Sequence, residues 1–380
     1  MEIAQEKYRK FFTRSVWGSL MIIVFAAILY LGHAFVSLFV MLIQVMVFKE
    51  MIAVRYIEAK ERKISGFRTL HWFILFATLF YVNGPQLLSI SSTLLTRFGL
   101  NLDFLSRTHL LISFILYVIG FIAFIFTLKR GSLKYQFSQL TWTLMTLLIV
   151  IGQSNFIIQN IWKGLIWFLL PCSLIICNDI MAYMCGLVAG RRFIDRPLTK
   201  LSPNKTWEGF VGALICTLIW SFLFSKVLAQ YDWFICPKED VTLLGTASCV
   251  PNEIFLPHTY QLPTSIVPEQ YSTFTVLPVQ LHALVFALFA SLIAPFGGFF
   301  ASGIKRAYRI KDFDSIFPGH GGVTDRMDCQ FIMGLFTYVY YTVVIATPIP
   351  QVANVVKLLS HMSTEDQLAV YNHLKNLLKA

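Results

Sequence analysis

The densest chemistry in the chain lies between residues 302 and 328, SGIKRAYRIKDFDSIFPGHGGVTDRMD, where five basic and four acidic residues flank a histidine and a cluster of glycines. Asp325 and Asp328 are three residues apart. If a helix starts near Val323 or Thr324, both carboxylates lie on one face of its first turn. The helix dipole alone would favour aspartates there. With Asp312 nearby they also form a hard-oxygen set suited to Mg2+. Lys305, Arg306, Lys311 and Arg326 would then meet the remaining charge of a phosphate group. Gly321 and Gly322 let backbone N–H groups approach an anion closely, and His320 adds a donor. A Mg2+–phosphate site and a solvated, ion-paired loop both fit these residues.

Two further stretches stand out. Asn178 and Asp179 interrupt the apolar run SLIICNDIMAYMCG. An ionisable group at membrane depth costs about 2.5 kcal/mol or more and usually faces a cavity or pathway. Helix packing is enough to explain Asn178. Asp179 is expected to meet Lys305 or Arg306, or to supply a metal ligand. In RPLTKLSPNKTWEG, residues 196–209, Ser202, Lys205 and Thr206 bring hydroxyls and a cation to a helix start, where anions are favoured. Trp207 beside them suits an interfacial anchor. The chain has no nucleophile elbow, no phosphate-binding loop of the Walker type, no CxxC pair and no zinc-like Cys/His spacing. Cys236 and Cys249 share a polar loop and could pair if it faces an oxidising lumen.

The elements that must hold these groups are membrane helices. Of 380 residues 56% are hydrophobic and only 13% charged, with 35 Phe. A soluble surface carries about twice that charged fraction. The expected fold is all-α and polytopic, with about nine transmembrane helices near 15–31, 33–48, 70–88, 109–128, 139–158, 165–189, 208–227, 280–300 and 330–348. Gly32-His33 marks a tight turn between the first two. The apolar run from Val16 to Phe48 is too long for a signal peptide. Residues 1–14 read as a cytosolic N-terminal segment, 15–348 as a transmembrane catalytic domain and 349–380 as a C-terminal tail with Leu368, Tyr371, Leu374 and Leu378 on one stripe.

Charge sets the orientation. Segments 49–69, 129–138, 190–207 and 301–329 are rich in Lys and Arg, whereas 228–279 has one basic residue, Lys238, against five acidic ones. That alternation is the positive-inside pattern, and it puts 302–328 on the cytosolic side. Segment 49–69 reads as an amphipathic surface helix, a headgroup contact or a topology signal. Segment 228–279, with Pro237, Pro251, Pro257, Pro263 and Pro268, reads as an irregular loop. The formal net charge of +11 sits in short runs between spans, which suits anionic headgroups and a polyphosphate substrate rather than nucleic acid.

The 302–328 stretch resembles the signature of the CDP-diacylglycerol synthases, the phosphatidate cytidylyltransferases. It carries Ser302, Lys305-Arg306, Lys311-Asp312, Pro318, His320-Gly321-Gly322, Asp325-Arg326 and Asp328 in that family's order. Asn178-Asp179, Ala182-Tyr183, Gly190-Arg191, Leu201-Ser202-Pro203, Lys205 to Gly209 and Ala294 to Gly303 are similar to the eukaryotic branch. The likeness runs over about residues 10–345. Asn204 stands where eukaryotic relatives usually have a second Lys. Gly298 stands where bacterial relatives carry an aspartate implicated in metal binding, and Asp179 is a candidate substitute.

The resemblance implies transfer of a cytidylyl group from CTP to phosphatidic acid, giving CDP-diacylglycerol and pyrophosphate, with Mg2+. It implies that Asp312, Asp325, Asp328 and Asp179 hold metal, that Ser302, Lys305, Arg306, Lys311, His320 and Arg326 act on phosphates, and that Ser202, Lys205, Thr206, Gly321 and Gly322 bind the nucleotide. It also implies membrane-lipid contacts, an endoplasmic reticulum membrane location with the site facing the cytosol, and a homodimer. A CTP-dependent lipid or polyprenol kinase, a transporter built around Asp179, and a structural scaffold are the competing classes.

Overall fold

Gly32, at φ +98°, ends one helix and lets the next begin at once. The pair is α1 (Glu2–Leu31) and α2 (His33–Glu61). The computed structural model describes residues 2–61, 67–95, 103–199, 202, 205–238, 249–261, 273–316, 321–346, 356, 359–360 and 362–377. Its contacts divide the chain into two compact units, Met1–Tyr338 and Val339–Ala380.

The helices follow as α3 (Phe67–Leu95), α4 (Asp103–Thr127), α5 (Leu133–Leu147), a π-helical turn (Leu148–Gly152), α6 (Gln153–Trp162), α7 (Ile166–Ala189), α8 (Trp207–Leu228), the single turn α9 (Asp232–Ile235), α10 (Pro278–Leu292), α11 (Pro295–Ala307), α12 (Thr324–Tyr340) and α13 (Thr364–Leu377). Among the described residues, eight helical stretches are long and apolar enough to cross a membrane, and Val16–Leu31 is a shorter ninth apolar helix. Each of the nine expected spans falls on one of these. The protein is therefore all-α and polytopic. Apolar side chains point outward as a bilayer demands: on α4, Leu110, Leu111, Phe114, Tyr117, Phe121 and Phe126 are all exposed.

Three expectations change. The basic segment after residue 48 does not begin a separate surface helix. α2 runs unbroken through it to Glu61, with Glu50 and Met51 buried. The fifth span, expected over 139–158, is longer at both ends: α5, the π turn and α6 run from Leu133 to Trp162. Its polar groups tie helices together. Gln44 donates to Ser154 Oγ at 2.7 Å, Asn83 donates to Gln44 Oε1 at 2.8 Å, and Asn160 donates to the Gly334 carbonyl at 2.9 Å. Finally, 228–279 is not wholly irregular. It holds α9, a 3-10 turn (Glu253–Phe255) and an antiparallel hairpin of β1 (His258–Gln261) and β2 (Thr273–Val276), in register from His258 opposite Val276 to Gln261 opposite Thr273. Cys236 and Cys249 are joined in a disulfide.

A large buried apolar cluster among the described residues centres on α2. Val40, Val47, Phe48 and Met51 pack with Val150 and Ile151 of the π turn, Ile157, Ile158 and Ile161 of α6, and Ala301, Phe313, Val323 and Phe331 around α11 and α12. α7 and α8 approach closely through glycine: a Cβ at Gly209 would lie 2.7 Å from the Ala182 carbonyl oxygen. In the second unit, α13 leaves Leu368, Tyr371 and Leu374 exposed. Leu378 lies outside the described residues.

Candidate active site

Pro295 at its first turn starts α11 afresh after the α10 helix ends. α11 crosses α12 at Gly297, where a Cβ would sit 2.4 Å from the Asp328 carbonyl oxygen. At its other end α11 closes with Arg309 at φ +54° and the Ile310 N–H reaching back to the Lys305 carbonyl at 3.0 Å. That cap reverses the chain and returns Asp312 and Phe313 to the start of α12.

Asp325 is the hub of the returned loop. Its carboxylate accepts from Lys305 Nζ at 2.6 Å, from the Phe313 N–H at 3.1 Å and from the Gly322 N–H at 3.1 Å. The side chains of Lys305 and Asp325 are 17% and 8% exposed, so the pair is largely shielded from water. Asp312 joins them at Gly321, which has φ +83°. A Cβ there would lie 3.1 Å from Asp325 Oδ2 and 3.5 Å from Asp312 Oδ1. Two hard carboxylate oxygens thus border one small space that only glycine leaves open. Among the described residues no three His, Cys, Asp or Glu side chains gather into a metal-ready group. A two-carboxylate cradle nevertheless fits Mg2+, which commonly takes one or two protein carboxylates and completes its shell with water and substrate phosphate.

Asp328 faces elsewhere. It lines a cavity of about 290 Å3 with Val47 and Met51 of α2, Val150 of the π turn, Gly297, Phe300 and Ala301 of α11, and Phe331. A Cβ at Gly298 would fall 3.4 Å from Asp328 Oδ2, so position 298 looks directly onto this carboxylate. Asp179 of α7 and Lys305 are both within electrostatic reach of Asp328. The cations nearest to Asp179 in effect are Lys205 and Arg326, rather than the expected Lys305 or Arg306. Lys305 is engaged by Asp325.

The remaining candidates are spread around this centre. Ser302 is half-buried on α11, one turn from Gly298; Arg306, Lys311, Asp312 and Arg326 are exposed. Lys205 lies over the Phe299 ring at 4.8 Å, which brings its side chain against α11. Thr206 is the N-cap of α8, its hydroxyl accepting from the Gly209 N–H at 3.2 Å. The Ser202 N–H donates to Thr199 Oγ1 at 3.2 Å. The Gly322 N–H, expected to face a phosphate, is given to Asp325. His320 lies outside the described residues.

Two acidic residues have structural roles that a reading of the sequence does not assign. Glu50 is 2% exposed and accepts from the N–H groups of Val323 and Thr324, each at 2.7 Å. Its signal was present: a carboxylate closing a long apolar run, the same anomaly that singled out Asp179. Glu208 accepts from the backbone N–H groups of Arg191, Phe193 and Ile194 at 3.2, 3.0 and 2.9 Å, which fixes the turn after α7. A glutamate in the first turn of a helix looks like a dipole partner and nothing in the pattern reveals the loop it holds.

Comparison with known proteins decides what this centre belongs to. A model of the Cytidylyltransferase family matches residues 12–344. This chain belongs to that family. A "Probable phosphatidate cytidylyltransferase" of Dictyostelium discoideum is 51% identical over 376 residues, covering 97% of this chain and 78% of that protein. A "Putative phosphatidate cytidylyltransferase" of Schizosaccharomyces pombe is 42% identical over 384 residues, covering 99% and 86%. The "Phosphatidate cytidylyltransferase 1" of Homo sapiens is 41% identical over 373 residues, covering 97% and 79%. The cytidylyltransferase match takes in α2 to α12 and so every element that builds the site.

Proposed function

We infer that this chain catalyses transfer of a cytidylyl group from CTP to phosphatidic acid, releasing pyrophosphate and leaving CDP-diacylglycerol in the membrane. The observation that carries the mechanism is the convergence of Lys305, Asp325 and Asp312 on Gly321 at the start of a membrane helix. A phosphate monoester has a second pKa near 6. At neutral pH the lipid phosphate is therefore already a nucleophile, and the protein need supply neither a covalent nucleophile nor a general base. Its task is to hold two polyanions together against their repulsion.

Asp312 and Asp325 would hold Mg2+ in the Gly321 cradle, with Asp328 and Asp179 as the second carboxylate pair, the latter in place of the aspartate that Gly298 lacks. Bound there, Mg2+ would neutralise triphosphate oxygens and make the α-phosphorus more electrophilic. Lys305, Arg306, Lys311 and Arg326 divide the phosphate charge, Ser302 and His320 donate to phosphate oxygens, and Lys205 with Ser202 and Thr206 borders the nucleotide from the α8 side. A phosphatidate oxygen attacks the α-phosphorus, the α–β bridging P–O bond breaks, and pyrophosphate leaves with the electron pair. The acyl chains stay in the bilayer.

The same proposal places the protein in the endoplasmic reticulum membrane with this site facing the cytosol, in contact with membrane lipids and as a homodimer. The charge asymmetry between 190–207 or 301–329 and 228–279 supports the orientation. Purified protein, given phosphatidic acid, Mg2+ and base-labelled CTP, is expected to form lipid-linked cytidine; chelation of Mg2+ and Asp325→Asn are each expected to abolish most of it. No labelled lipid from the wild type would end the proposal. Full activity of the variant would reject the role given to Asp325.

A further inference from the structure

We propose that Glu50 is a positioning residue for this reaction: a buried carboxylate on α2 that clamps the start of α12 and so fixes the aspartates of that helix. Its kinetic consequence rests on the function proposed above, while the clamp itself rests on geometry. A helix start leaves N–H groups without intrahelical partners. Here two of them, on Val323 and Thr324, are each taken by one oxygen of Glu50 at 2.7 Å. The partners are 273 and 274 residues away in sequence, so this is a tertiary clamp and not a local cap.

The clamp reaches the chemistry by short steps. Gly322 is wedged against it: a Cβ there would lie 2.7 and 2.9 Å from the two Glu50 oxygens and 2.9 Å from the Asp314 nitrogen. The N–H of the same Gly322 binds Asp325. Asp325 in turn holds Lys305 and the Phe313 N–H. On the other side, Val47 and Met51 stand three residues before and one after Glu50 on α2, and both line the cavity that receives Asp328. One side chain therefore sets the backbone from which Asp325 and Asp328 both project.

A carboxylate at 2% exposure is expensive unless hydrogen-bonded, and because each N–H is held by a different Glu50 oxygen, an amide could accept only one of them in this geometry. Glu50→Gln offers one oxygen and turns its NH2 toward the second N–H. The control is Gln44→Leu, a buried polar residue of the same helix whose partners are Ser154 and Asn83. Substitution of groups that orient metal ligands typically lowers activity or metal affinity about 10- to 100-fold, and Glu50→Gln is expected to show that loss in kcat and in Mg2+ half-saturation, with KM for phosphatidic acid within about twofold. Amide hydrogen exchange in a peptide spanning 321–327 should quicken in the same variant. Gln44→Leu should lower the melting temperature without moving either readout. Glu50→Asp, one methylene shorter, should fall between wild type and Glu50→Gln and serves if the latter does not fold. Wild-type kinetics and exchange in Glu50→Gln would overturn the proposal. So would an equal kinetic loss in Gln44→Leu. If the wild type makes no lipid-linked cytidine, the function fails, while the exchange experiment still tests the clamp.

Discussion

Replacing Asp325 by Asn tests how the site is held together. The carboxamide can keep its oxygen on the Phe313 and Gly322 N–H groups, both 3.1 Å from Oδ2 in the wild type. Its NH2 then faces Lys305 Nζ, which stood 2.6 Å from Oδ1, donor against donor. Removing one member of a buried pair usually costs about 3–5 kcal/mol because the other charge is left unmatched. Lys305 is 17% exposed and can turn part of its head toward water, which puts the expected loss at the lower end, about 3 kcal/mol. Lys305→Met leaves Asp325 with its two backbone donors and should cost less, about 1–2 kcal/mol. The double variant has no orphaned charge. It should therefore be more stable than the sum of the singles by about 1–3 kcal/mol, read from denaturant-induced unfolding in detergent micelles. Additivity within about 0.5 kcal/mol would refute the pairing and, with it, the view that Lys305 and Asp325 form one unit.

Gly297→Ala would drive a Cβ to 2.4 Å from the Asp328 carbonyl, a backbone atom that cannot swing aside, so α11 and α12 should separate and stability fall by about 1–3 kcal/mol in the same unfolding assay. Lys163 sits in the short connection between two spans with its ammonium 3.9 Å from the Tyr338 ring centre, and burial holds its pKa down at about 8 from 10.5. The folded protein therefore loses this proton before the unfolded chain does, and stability from this group rises as pH climbs from about 8 toward 10.5; the melting temperature of the wild type should gain on that of Lys163→Met across this window, and parallel curves would reject it. For orientation, Ile254→Thr completes a glycosylation acceptor at Asn252, close to the Cys236–Cys249 disulfide. A glycan is expected there and none at Asn204-Lys205-Thr206; the reverse pattern would invert the proposed topology.

Much of the architecture could be read from hydropathy, because a bilayer requires each span to be a helix of sufficient apolar length. Gly32 was legible as a turn because few residues tolerate its φ of +98°. The fifth span was harder for a physical reason. Gln153, Asn155 and Asn160 look like the edge of a membrane segment, yet Asn160 is buried and bonded to the Gly334 carbonyl 174 residues away. Interhelical hydrogen bonds of this kind leave no periodic trace. The hairpin was hidden by the prolines around it, although the β-branched and aromatic run Thr273 to Val276 was a strand signal. In the site, the loop from Lys305 to Asp328 announced itself by composition, but its return onto α12 did not: Gly321 read only as a place where an anion could approach the backbone. The three-bond role of Asp325, the separate facing of Asp328 and the part played by Glu50 depend on contacts between distant segments. A single sequence encodes them without displaying them.

The measurement that bears most directly on the reaction is the fate of two labels in one experiment. Purified wild-type protein in phosphatidic acid micelles with Mg2+ would receive CTP labelled in the base and in the γ-phosphate. Cytidylyl transfer places the base label in the lipid and the γ label in pyrophosphate, in equal amounts. Finding the γ label in the lipid and the base label in free CDP would instead make the chain a lipid kinase and contradict cytidylyl transfer.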